Sequence, residues 1–84
     1  VRTPEKQAAF EDLTERIVAT FQKADARFAI YIGLGAMAPR KALVTLARVR
    51  ESWEALIPGI GERLIATKTE QAALNQKKRE ETAA

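Results

Sequence analysis

Phe10, Leu13, Ile17, Phe21, Ala24, Phe28 and Tyr31 follow one another by steps of three and four, the spacing of a helical seam that faces a second helix. Glu5, Glu11, Asp12, Glu15, Arg16, Gln22 and Lys23 fill the other side. Thr3-Pro4-Glu5 opens the helix well: Thr can accept a backbone N–H at the cap, Pro suits the first helical position, and Glu complements the positive helix end. Past Arg27 the apolar stripe widens around the whole circumference, because Ile30, Ile32, Leu34 and Met37 add a second face. The result is an uncharged run, Phe28 to Ala38, between Lys23, Asp25 and Arg27 on one side and Arg40 and Lys41 on the other. Small domains have few apolar atoms to spare for wrapping such a segment. Another protein surface, a second copy of the chain or a larger partner, is therefore expected to finish it. Phe28, Ile30, Ile32 and Leu34 also alternate with period two, so a short strand completed by a partner's strand is the alternative. Nothing else in the chain offers a strand to pair with it, and the helix is the preferred reading.

Gly35 to Pro39 closes the first helix and opens a second, whose face Ala42, Leu46, Val49, Trp53 and Leu56 is widened by Leu43 and Ile57. Trp53, the only Trp, is the expected core anchor against the first helix, and Arg50 and Glu54 are spaced to pair loosely. Pro58-Gly59-Ile60-Gly61 breaks the chain before a third helix, to which Ile60, Leu64 and Ile65 can contribute core. From Lys68 to Ala84 good helix formers continue without a convincing buried face, as a protruding helix or a frayed tail. The expectation is an all-α fold: a small three-helix bundle, or a long helical hairpin plus a third helix with a protruding or frayed C-terminal end. It forms one domain over 1–84, with helices at about 4–36, 39–57 and 61–76 and a tail at 77–84.

Composition narrows the chemistry. With 84 residues and neither Cys nor His, the chain excludes disulfides, thiolate metal sites and thiol nucleophiles, and lacks the usual acid-base side chain near neutral pH. An enzyme would have to work with carboxylates, Lys, Tyr31 or Ser52, and no desolvated acid or base can be pointed to. Glu11 and Glu15 share a face, but it is the polar one. No catalytic residue, metal ligand or cofactor is assigned. Gly33-Leu34-Gly35 lacks the third glycine, the preceding strand and the later acidic residue of a dinucleotide fingerprint. Fourteen basic side chains against eleven acidic ones are a mild excess that interleaves at helical spacing. Lys77-Lys78-Arg79 is largely neutralised by Glu80 and Glu81. The polar start at Val1 does not read as a signal peptide, and Phe28 to Ala38 is about half of the ~20 residues that cross a bilayer as a helix. A cytoplasmic chain without a transmembrane segment is expected.

One turn carries a resemblance. Ile57-Pro58-Gly59-Ile60-Gly61, between an apolar-faced helix and another helix, resembles the hairpin of the helix-hairpin-helix family, built on a hydrophobic-Gly-hydrophobic-Gly turn. In that family the turn's N–H groups and the following helix start bind a DNA phosphate without reading sequence. The resemblance covers about residues 50 to 68 and implies that Gly59, Ile60 and Gly61 sit at the phosphate, with Arg63 and Lys68 assisting. Two positions depart from the pattern: Ile65 stands where a small Ala is usual, and Glu62 would set a carboxylate beside the phosphate. The plainer reading is that Pro58-Gly59 ends one helix and Gly61-Glu62 opens the next.

The leading expectation is a non-catalytic helical protein–protein interaction or assembly module, a homo-oligomer or a subunit of a complex. Phe28, Ile30, Tyr31, Ile32, Leu34 and Met37 form its partner-binding surface, and Lys23, Arg27, Arg40, Lys41 and Arg48 form a basic rim. The alternative is a small sequence-nonspecific nucleic-acid-binding protein that uses the turn at 57–61. A membrane-surface protein drawing on the same apolar run is a third reading.

Overall fold

The computed structural model describes residues 3–83, so the start at Val1 and the last tail residue, Ala84, lie outside it. The fold is all-α, with three helices: α1 Pro4–Gly33, α2 Pro39–Leu56 and α3 Thr67–Ala83, and a 3₁₀ turn Ile60–Arg63 between the last two. Thr3 caps α1 as its side chain predicts, accepting from the Lys6 N–H at 3.3 Å. Residues 28 to 33 are helical, which excludes the strand reading there.

α1 stops three residues short of the expected 36 because Gly35 takes a left-handed conformation, φ +74°. The Gly35 N–H then donates to Ile32 O at 3.1 Å and the Ala36 N–H to Tyr31 O at 2.8 Å. Those two bonds are a Schellman motif, which satisfies carbonyls that the helix end would otherwise orphan. At the other corner, Gly59 has φ +94° and the Ile60 N–H donates to Ile57 O at 3.2 Å. Pro then Gly at the centre of such a turn is the type II signature. The third helix does not start at Gly61 as expected. Residues 60–63 make a short 3₁₀ turn, Leu64 to Ala66 run irregularly, and α3 begins only at Thr67 and runs without a break through the expected tail, 77–83.

The core is Ile17 and Phe21 of α1, Leu46 of α2, and Ile60, Leu64 and Ala66 from the connection, with Trp53, Phe28 and Ile57 packed against it. Ile65, expected inside, is exposed. The buried face of α1 is Thr14, Ile17, Phe21, Asp25 and Ile32, rotated from the seam read in the sequence, so that Leu13 and Tyr31 fall on its open edge. The rotation follows from α1 having two neighbours instead of one. Thr14 tolerates burial because its hydroxyl donates to Phe10 O at 2.9 Å.

α1 and α3 approach closely, whereas α2 stands off α1. Ala26, Ala29 and Ala72 lie where the first pair meets, while Phe21, Leu46 and Trp53 hold the second pair apart. α3 starts beside Asp25 and runs alongside the last turns of α1, and its Ala73, Gln76, Lys77 and Glu80 border a cleft with the first turns of α2, while the opening turns of the 30-residue α1, residues 4–9, are exposed. The molecule is therefore long, 59 × 18 × 16 Å, with a radius of gyration of 16.0 Å against about 12 Å for a compact chain of this length.

Candidate interaction surface

The six residues expected to bind a partner divide by helical geometry. Ile32 is fully buried and so structural, while Phe28 is partly buried and packs on the core. Met37 is half-buried in the α1–α2 connection. Ile30 (61 % exposed), Leu34 (76 %) and Tyr31 (37 %) face outward at the end of α1. They form an uncharged corner continued by Gly33, Gly35 and Ala36, all exposed.

From Tyr31 the apolar surface runs back along α1 through Phe28 and Ala24, at steps of three and four, into a groove between α1 and α2. Ile17, Phe21, Ala24, Phe28, Leu46 and Trp53 line that groove, with Val49 on one lip and Arg16 and Thr20 on the other. Its volume is about 210 Å³, more than the ~150 Å³ of a cavity that admits a benzene ring. The groove was not foreseen in the sequence reading, although the spacing of the seam marks its α1 wall: Ile17, Phe21, Ala24 and Phe28 are the seam residues that line it.

The turn that resembles a helix-hairpin-helix is not open to a phosphate. The Gly59 N–H donates to Glu54 Oε1 at 2.8 Å and the Gly61 N–H to Glu54 Oε2 at 2.7 Å, so a carboxylate from α2 occupies the anion position. Ile60, assigned to the phosphate by the resemblance, is buried in the core, and no α-helix follows the turn directly. Arg63 and Lys68 lie together by a different cleft, lined also by Gln22, Asp25 and Ile65. Arg50 and Glu54, spaced to pair, do not: Arg50 Nη1 reaches Leu64 O at 3.4 Å while Glu54 is committed to the two glycines.

Those two backbone donors hold the Glu54 carboxyl below its usual range, the Gly59 bond being the larger cause, against a small opposing effect of burial. A depressed folded value makes this contribution to stability fully present above the ordinary Glu pKa of about 4.3 and lost as pH falls through the lower folded one. In urea melts, the advantage of the native chain over Glu54→Gln is therefore expected to be constant above about pH 5 and to shrink on acidification through that window. An advantage independent of pH would mean that the carboxylate is not what holds the turn.

Sequence reasoning also missed Asp25, which it placed only among the charges flanking the apolar run. Asp25 is buried and accepts from the Lys68 N–H at 3.0 Å and the Thr69 N–H at 2.7 Å, while Thr69 Oγ1 donates to Asp25 O at 2.9 Å. An N-cap side chain normally makes bonds of this kind to the second and third residues of its own helix. Ala66 precedes α3 and has no side-chain acceptor to offer, so α1 supplies one to the Lys68 N–H from 43 residues away. The only hint in the sequence was an acidic residue interrupting an apolar face.

No group of three carboxylates fit to hold a metal ion occurs among the described residues, and no described helix is long and apolar enough to cross a membrane. The fold and surface define a class: a small three-helix chain with an apolar corner and an open apolar groove. No protein-family model, curated protein or solved structure matches the chain.

Proposed function

We propose that this chain is a non-catalytic helical interaction module that docks on another protein surface through the apolar corner at the end of α1. The observation that supports this reading is the exposure of Ile30, Tyr31 and Leu34 beside one another, in a chain that turns its other large apolar residues of that run inward. An apolar patch kept in water costs free energy unless something covers it. The corner also lies at the tight α1–α2 connection, where the Schellman motif fixes the backbone, so little ordering entropy opposes docking.

Leu34→Asp tests the reading, because Leu34 is exposed and its replacement should leave the fold intact. The bait is the native chain or the variant, with mass in solution measured by light scattering and retained partners compared with and without nuclease. Either a salt-insensitive assembly or nuclease-resistant protein capture, lost in Leu34→Asp while helicity is kept, is the expected result. Association that Leu34→Asp leaves unchanged, or capture that nuclease abolishes, would overturn it.

A further inference from the structure

We propose that the groove between α1 and α2 receives the apolar face of an acidic amphipathic helix from a partner protein. This rests on the interaction-module reading and gives the partner's chemistry. The floor is apolar and sized for large side chains, as described above. From Arg16 to Phe28 the α1 wall is about 18 Å long, which suits a helix of three to four turns lying along it.

Charge decides what kind of helix fits. Arg16 and Thr20 line the α1 lip, and Lys23 and Arg27 continue the same row at steps of three and four. On α2, Lys41 and Arg48 fall in the row 41, 45, 48, 52 just outside Val49. Arg16 is partly neutralised by Asp12, whose Oδ2 lies 3.1 Å from its Nε. Lys23, Arg27, Lys41 and Arg48 are exposed and make no ion pair among the described residues. The acidic side chains of α2 lie elsewhere: Glu51 and Glu54 border a different cleft with Gly61 and Glu62. Glu11 and Glu15 of α1 fall in a row with Val18 and Gln22, away from the lip. An apolar floor between two cationic rims selects an apolar stripe flanked by carboxylates. A second copy docked groove to groove would bring the cationic rims against each other and is disfavoured.

Two synthetic peptides about four turns long, without Trp and with identical Leu stripes, test this, one flanked by Glu and the other by Lys. Trp53, the only Trp, lines the groove and reports occupancy by its emission. The Glu peptide is expected to shift that emission and to bind about tenfold or more tightly than the Lys peptide at low salt, the two converging as ionic strength rises. Combining Lys23→Glu, Arg27→Glu and Arg48→Glu, all at exposed positions, should invert the preference. Equal binding of both peptides, no binding of either, or a preference the triple variant does not invert would overturn the proposal. So would a dimer mass that rises with the burial of Trp53. If the peptides fail while Leu34→Asp still abolishes association, the groove assignment falls and the interaction module stands. If Leu34→Asp changes nothing, the module reading falls by itself.

Discussion

Replacing Asp25 with Ala is expected to cost roughly 3 kcal/mol, the sum of two backbone bonds to a carboxylate and the desolvation left behind, with α3 released first. The site explains the size. Thr69 is completely buried, so its N–H has no water to turn to once the carboxylate is gone, and α3 loses the acceptor that Ala66 cannot provide. Stability of the whole chain is on the order of 4 to 13 kcal/mol at typical values per residue, so such a loss is a large share of it. Asp25→Asn keeps one acceptor but turns an amide toward the other N–H, and should cost roughly half as much. Urea melts followed by circular dichroism give the total. Amide exchange gives the order of events: protection of α3 should fall before that of the Ile17–Phe21 segment. A loss below about 1 kcal/mol would show that α3 is held by its packing against α1 and not by the cap.

Leu64→Ala is expected to cost roughly 3 kcal/mol, within the range for deleting a fully buried Leu, because the site cannot collapse. Leu64 is 0 % exposed and sits among Ile17, Phe21, Leu46 and Ile60, at the point where α1, α2 and the connection converge. It lies on an irregular segment whose carbonyl is also held by Arg50. Ile65→Ala is the built-in control: its side chain is 55 % exposed, and the change should stay within about 1 kcal/mol. Similar midpoints for the two variants would mean that the register of the connection is shifted by one residue. Emission of Trp53, packed on the same cluster, should move to the red in Leu64→Ala as the groove floor loosens.

Much of the helical content was legible because it depends on local spacing. Thr3-Pro4, the steps of three and four along α1, and Pro39 each express their preference within a few residues, and the structure places α1 and α2 where they predicted. The candidate surface was legible in part. An uncharged run twice as wide as a helix face had to leave something outside, but which of Phe28, Ile30, Tyr31, Ile32 and Leu34 stays out depends on where α3 lies. Nothing local reports the position of α3.

By itself the sequence determined that this chain is helical, that it has no thiol or imidazole chemistry, and that it carries more apolar surface near residue 30 than one amphipathic helix can hide. Tertiary structure alone decided three things. It put Asp25 under α3, because the acceptor that α3 lacks locally can come only from a distant helix. It spent the glycine N–H groups of the turn on Glu54, because the last turn of α2 brings that carboxylate within reach. It opened the groove, because small residues let α1 and α3 close together while aromatic residues keep α2 away. Each is a meeting of residues far apart in sequence or turned toward one another by the fold, and side-chain periodicity reports the faces a helix has without saying which neighbours they find.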